Sequence, residues 1–286
     1  MERELWPILY QTLRAVSATD HHKGVHYQPW VIVALLLWAA IHDRPRSWAC
    51  AQQHWDTTQL RPTDIPSPST VSRRARRPEV TDLLDRLGAQ LRGNGPVAWT
   101  LVIDGKPLPV GKCSKDPDAA PNQHGKGYKL HALGGDRCMP EAWEVTGANE
   151  YEGAVAVRLL AQVRGKGFVL GDGSYEANGV YDAAGKSGYQ LLAHPGSEAT
   201  GGGHGYQSEH RLLSLHWFGT GLAQDLYRYR SSIERTFGNM GAFGGGLGPL
   251  PNWARRRDRV TRWVHCKLLI NAARIIYKRQ RMQPMQ

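Results

Sequence analysis

The sequence predicts an α/β fold, a mixed sheet with helices on its faces, preceded by an all-helical region. Three observations carry this. Residues 1–94 show helical periodicity, and from Trp99 the pattern changes to short apolar runs separated by turn residues. Those runs come as three strands in succession, then strands alternating with helices, the order of an α/β sheet.

In the first region Glu2 to Val16 is amphipathic, Pro29 opens a helix that reaches Ile41, and Ser47 to Trp55 follows a break at Pro45. "IPSPSTVSRRARR" comes next. Ser67 is placed to cap a helix with Pro68 at its first position, followed by Ser69, Thr70, Ser72, Arg73, Arg74, Arg76 and Arg77. Short helices leading into a basic, hydroxyl-rich helix suit a helix-turn-helix, with the hydroxyls at base edges and the arginines on phosphates. The arginines surround the helix, so the pattern also fits a solvated basic helix on a bundle. Val80 to Leu91 is a further helix, and "RGNGP" is a linker, which puts a domain boundary between residues 94 and 95.

In the second region, 95–286, "WTLVIDGKPLPV" reads as a strand turning at Asp-Gly, "GYKLHALGG" as a second strand and "EAWEVTGAN" as a third. The helix "YEGAVAVRLLAQV", the strand "GFVLGD", a helix near Ala177 to Ala184 and the strand "YQLLAH" follow. After a glycine-rich stretch, Asp225 to Phe237 is helical, with Tyr227, Arg230 and Glu234 on one polar stripe. Trp253 to Arg281 carries ten cations against one acid on a helix whose apolar positions include Val260, Val264, Leu268 and Leu269.

The net charge of +11 on 286 residues favours a polyanionic partner, nucleic acid above all. Cys50, Cys113, Cys138 and Cys266 form no ligand pair and read as reduced thiols of a cytoplasmic protein. The apolar run from Trp30 to Ile41 falls short of the about 20 residues that span a bilayer, so no membrane association is expected.

Asp104 and Asp172 each end an apolar run. On adjacent strands they meet at one edge of the sheet, where two bare anions repel and a divalent metal pair relieves them. Glu234 is the natural third carboxylate. Taken singly, Asp104 before Gly105 also reads as a hairpin residue, Asp172 as a cap, and Arg230 with Glu234 as an exposed ion pair.

Together these residues resemble the DDE transposases of bacterial insertion sequences. The spacing Tyr227, Arg230, Glu234 is similar to that group's Tyr, Arg, Glu, Lys signature, and "GYKLHAL", "VTGANEYEG" and "LGDGSY" resemble its second strand, the segment after its third strand and its second-acid block. The signature lysine falls on Gly241, and Arg255, Arg256 and Arg257 are candidates to supply the missing cation. With only about sixty residues between Asp172 and Glu234 there is little room for the large β insertion of some relatives.

The resemblance implies an RNase H-like catalytic domain and a two-metal phosphoryl transfer, with two Mg²⁺ or Mn²⁺ ions held by Asp104, Asp172 and Glu234. It implies cutting at terminal inverted repeats and joining to target DNA by a homodimer on paired ends, with Tyr227 and Arg230 contacting DNA. A nuclease without strand transfer fits the same carboxylates. A catalytically retired DNA-binding protein fits the missing lysine.

Overall fold

The computed structural model describes residues 2–55, 60–123, 125–195, 205–230, 237–238, 240–241, 243 and 245–282. In chain order its helices are α1 (Glu2–Val16), α2 (Pro29–Ile41), α3 (Arg46–Ala49), α4 (Pro68–Arg74) and α5 (Pro78–Arg92), then α6 (Glu152–Leu160), α7 (Asn178–Ser187), α8 (Glu209–Gly219), α9 (Leu222–Tyr227) and α10 (Arg257–Met282). Its strands are β1 (Thr100–Pro109), β2 (Ala120–Asn122), β3 (Gly125–Gly134), β4 (Ala142–Gly147), β5 (Gly167–Gly171) and β6 (Tyr189–Ala193). The chain divides into two compact units, one of Met1–Asn94 with Met240–Gln286 and one of Gly95–Asn239.

The helical unit is built around α2. "PWVIVALLLWAAI" is apolar on every side, and a helix of that kind stays in water only as the centre of a bundle. Helices α5 and α10 pack on it, as does α1. Trp6, Trp38 and Trp55 interlock at its end, with ring centroids 4.8 Å apart for Trp6 and Trp38 and 4.7 Å for Trp38 and Trp55. Each indole N–H donates to a backbone carbonyl, of Leu60, His54 and Ala49 respectively, so the rings are buried without stranding a donor.

The boundary expected from the sequence differs in one respect. The C-terminal helix, assigned there to the 95–286 region, groups with residues 1–94, because Val260, Val264, Leu268 and Leu269 are buried within that bundle. Lys267 ties the same unit together. Its ammonium donates to Ala40 O at 2.6 Å, Gly245 O at 2.9 Å and Asp43 Oδ1 at 2.5 Å. Gly245 has φ +87°, and a Cβ there would lie 2.7 Å from Ile41 O. This glycine therefore serves close packing inside the unit.

The second unit is the expected α/β fold. Its sheet has the order β2-β3-β1-β5-β6, with β4 pairing β3 on the same sheet. Pairs β1–β3 and β3–β4 are antiparallel, while β1–β5 and β5–β6 are parallel, the RNase H-like arrangement. Leu101, Ile103, Val169 and Leu191 on one face bury against Val155 and Leu159 of α6 and Val180 and Ala184 of α7.

Strand β1 does not turn at Asp104-Gly105, as the dipeptide suggested, but runs straight through it to Pro109. It stays paired with β3 from Val102 opposite Gly134 to Pro109 opposite Gly127. The four cysteines are free. Among the described residues no helix is long and apolar enough to cross a membrane.

Candidate active site

Strands β1 and β5 run parallel with Val102 opposite Leu170. Two residues beyond that pair come Asp104, within β1, and Asp172, immediately after β5, so both acids lie at one end of the paired segment of strands spaced about 4.8 Å apart. Asp172 also caps the 3-10 turn Gly173–Tyr175. Its Oδ1 accepts the Ser174 N–H at 2.9 Å and the Ser174 hydroxyl. Asp104 Oδ1 accepts the N–H of Gly105 at 2.7 Å. The cap and the carboxylate site are thus one residue in two roles.

Cations gather on these acids. Arg230 Nη2 lies 3.8 Å from Asp172 Oδ2. Lys129 on β3 pairs with Glu152 in the first turn of α6, and Glu152 Oε2 lies 2.5 Å from the Ser174 hydroxyl, whose one proton is shared with Asp172. Burial pulls the Lys129 ammonium below its ordinary value, while the charges of Asp104 and Asp172 pull it back up. The chain from Lys129 through Glu152 and Ser174 to Asp172 is continuous.

Gly105 makes room for it, since a Cβ at that position would overlap Lys129 Cε. The dipeptide that signals a hairpin is used here to let a lysine lie across the strand beside Asp104.

Tyr175 closes the floor. Burial raises its phenol well above the ordinary tyrosine value, and Asp104 and Asp172 add to the shift, so the hydroxyl stays protonated and able to donate. Among the described residues that buried hydroxyl has no hydrogen-bond partner. The oxygen donors of Asp104 and Asp172, with a buried, unpartnered hydroxyl that feels their charge, have the hard-ligand chemistry that fits Mg²⁺ or Mn²⁺. Among the described residues no group of three His, Cys, Asp or Glu side chains forms a metal cluster. The third expected carboxylate, Glu234, lies outside the described residues.

The polar stripe is partly as expected. Helix α9 ends at Tyr227 and continues as a 3-10 turn over Arg228–Arg230, in which residues three apart eclipse. Arg230 Cζ accordingly lies 5.8 Å from the centre of the Tyr227 ring. The Tyr227 hydroxyl donates to Gly171 O at 3.0 Å and the ring packs edge-on to His194 and Phe218. Tyr227 therefore anchors α9 to the end of β5, next to Asp172.

The other expected DNA contacts lie in the helical unit. Ser67 caps α4 as predicted, with Thr70 N 3.4 Å from its Oγ, and Ser69 and Thr70 hydroxyls join the same turn. Ser72 accepts a hydrogen bond from Arg46 at 2.8 Å. Arg73, Arg76 and Arg77 are exposed, whereas Arg74 is half-buried 3.7 Å from Glu79. Arg255, Arg256 and Arg257 are exposed just before and at the start of α10, and Arg255 donates to Asn252 O at 2.9 Å. Gly241 is exposed.

Sequence reasoning noted the blocks containing Lys129, Glu152, Ser174 and Tyr175 but assigned none of the four. The signal was available for Lys129, a cation two residues from the buried His131 inside a strand otherwise buried at Tyr128 and Leu130.

Comparison with known proteins bears on this geometry. No curated protein matched the chain. Among solved structures, a piggyBac transposase synaptic complex with hairpin DNA is similar at a TM-score of 0.46 and 9% identity, covering 99% of this chain and 74% of that one. The family profile described as the transposase DDE domain matches residues 95–269, more than half of the molecule and the whole span that bears Asp104, Asp172 and Glu234. The chain belongs to the transposase DDE domain family.

Proposed function

We propose that this transposase cuts DNA at the ends of its element and joins the freed 3′-hydroxyls to target DNA, using divalent metal held by Asp104, Asp172 and Glu234. The observation that supports the reading is that Asp104, in β1, and Asp172, just past the end of β5, each stand two residues beyond the paired Val102 and Leu170. Bound there, a divalent cation supplies Lewis acidity toward phosphate oxygens and toward the attacking water or hydroxyl.

The chain's own residues do the rest. Ser174 and the N–H groups of the turn hold the Asp172 carboxylate in one orientation, and the N–H of Gly105 does the same for Asp104. Arg230, on the rim of the acids, is placed to meet a non-bridging phosphate oxygen of the scissile strand. Tyr175, kept protonated, adds no charge beside the acids. Tyr227 keeps Arg230 in register with the strand ends. In the helical unit Arg73, Arg76 and Arg77, with Arg255 to Arg257, grip duplex phosphates. Two copies act on paired ends, since both ends are cut in one assembly.

The test is cleavage and joining of labelled DNA carrying the flanking terminal repeats with Mg²⁺ or Mn²⁺. Cutting at the repeat boundary that needs metal, Asp104 and Glu234, followed by joining to a target plasmid, is the expected result. Cutting without joining reduces the protein to a nuclease, and binding without cutting in either metal overturns the catalytic reading.

A further inference from the structure

Away from the acids, the helical unit encloses a cavity of about 430 Å³ between α2, α3, α4 and the start of α10. This is within the size range of small-molecule sites, about 300 to 1,000 Å³. Its floor is apolar, with Leu36, Ala39 and Cys266, and one wall is formed by Trp253 and Trp263, whose rings stand 6.4 Å apart at 87°. Trp253 is 42% exposed, so its ring is open to a partner.

Arg46, Arg259 and Arg262 also line this cavity. Arg46 is half-buried and its described hydrogen bond goes to a neutral group, the hydroxyl of Ser72. Arg262 pairs with Asp258 at 2.6 Å, and Asp258 is the carboxylate that the described contacts set against the group. Three guanidinium groups facing one carboxylate in a half-enclosed, partly apolar space leave an excess of positive charge that water screens poorly. Burial lowers the Arg46 pKa, and the charges of Arg259, Arg262 and Arg76 lower it further, which is the repulsion seen from one member.

An anion relieves that repulsion, and the shape says which kind. A duplex phosphate is met on a convex surface and needs neither a cavity nor an aromatic wall. A site with guanidinium groups, serine hydroxyls from Ser69 and Ser72, and an exposed indole over an apolar floor matches a phosphate joined to a flat ring. We infer that this cavity binds a single nucleotide, its phosphate on Arg46, Arg259 and Arg262 and its base against Trp253. The inference goes beyond the proposed catalytic reading and needs none of the acids at the sheet edge. Free nucleotide and an unpaired nucleotide of bound DNA share this chemistry.

The experiment is titration of the full chain with dAMP in the absence of divalent metal, read by calorimetry and by tryptophan quenching, so that it reports on the cavity whether or not the chain cuts DNA. The expected result is saturable binding at least about tenfold tighter than inorganic phosphate or deoxyadenosine. Arg46→Gln and Trp253→Ala, confirmed folded by their melting temperatures, should each weaken it about tenfold. Competition by a duplex with a one-nucleotide overhang that exceeds competition by its blunt counterpart assigns the site to DNA, and equal competition assigns it to free nucleotide. Absence of binding at millimolar dAMP, equal binding of phosphate, or an unaltered affinity in Trp253→Ala overturns the inference.

Discussion

Two lysines, one in each unit, separate what holds this molecule together from what it works with. Lys267 is 1% exposed in the helical unit and donates to two fixed backbone carbonyls, of Ala40 and Gly245, besides Asp43. Lys129, half-buried in the α/β unit, pairs with Glu152 and feels Asp104 and Asp172, all of them side-chain carboxylates. Backbone carbonyls fixed inside a bundle make a lysine structural. Carboxylates for which a metal ion can compete make it part of a site, because its charge stabilises them only until another cation arrives.

The strongest way to break this contrast is at the acids. Asp104→Asn should lower DNA cleavage by at least about a thousandfold, roughly 4 kcal/mol of transition-state stabilisation, while leaving the melting temperature within a few degrees of wild type. A chain that cuts at a hundredth of the wild-type rate or better in a steady-state assay removes Asp104 from the metal set.

Next in size is Lys267→Met. It takes the ammonium from the carbonyls of Ala40 and Gly245, the first of which keeps the N–H of Asp43, and removes the partner of the Asp43 carboxylate, which should cost about 2 kcal/mol in urea unfolding of the whole chain. Lys129→Met should cost far less stability and instead slow cleavage about tenfold. Gly105→Ala tests the same lysine without removing it. The added Cβ displaces only the flexible end of Lys129, so the fold should tolerate it while activity falls as in Lys129→Met. Equal stability losses for Lys129→Met and Lys267→Met would erase the distinction.

Both units also carry a histidine that burial holds neutral. His265 in α10 and His131 in β3 are each pushed down to about 4, His131 with further help from Lys129 and Arg158. His265 Nδ1 is 3.9 Å from the exposed Asp85, too loose a contact to outweigh burial. A depressed histidine is protonated in the unfolded chain first. The unfolded state therefore binds more protons between about pH 6.5 and 4, and stability falls as pH drops through that window, by up to about 3 kcal/mol per histidine. His265→Gln should flatten the dependence measured by urea unfolding, and an unchanged slope would show that His265 is charged in the folded state.

The sequence made the long, periodic elements visible. Helices α1, α2 and α5 and the strand order could be read because local pattern and burial agree there, as in the uninterrupted apolar run of α2. It misled at Asp104-Gly105, where a strong local turn signal lost to pairing along the whole of β1 and to the space Lys129 needs. It also could not show that α10 belongs with α2, since the bond from Lys267 to Ala40 joins residues 227 apart and nothing local encodes it. Of the candidate site, the placement of Asp104 and Asp172 at neighbouring chain segments of the sheet was legible because each ends an apolar run. Lys129 and Glu152 were not, because a lysine in a strand and a glutamate opening a helix are ordinary until the sheet brings them together.

The smallest expected effect separates the arginines of α4 and the residues just after it. Arg74 is half-buried against Glu79, and Arg73, Arg76 and Arg77 are exposed. If the exposed three meet phosphates, each Arg→Ala change weakens duplex binding uniformly across sequences and lowers the slope of log affinity against log salt by about 1. Arg74→Ala should instead leave that slope alone and cost about 1 kcal/mol of stability, since a buried guanidinium acts through packing and its acid partner. Filter binding across a salt series distinguishes the two. A slope that falls equally in Arg74→Ala and Arg77→Ala would mean that α4 presents its whole circumference to DNA, which a helix resting on the bundle through Val71 and Arg74 has no room to do.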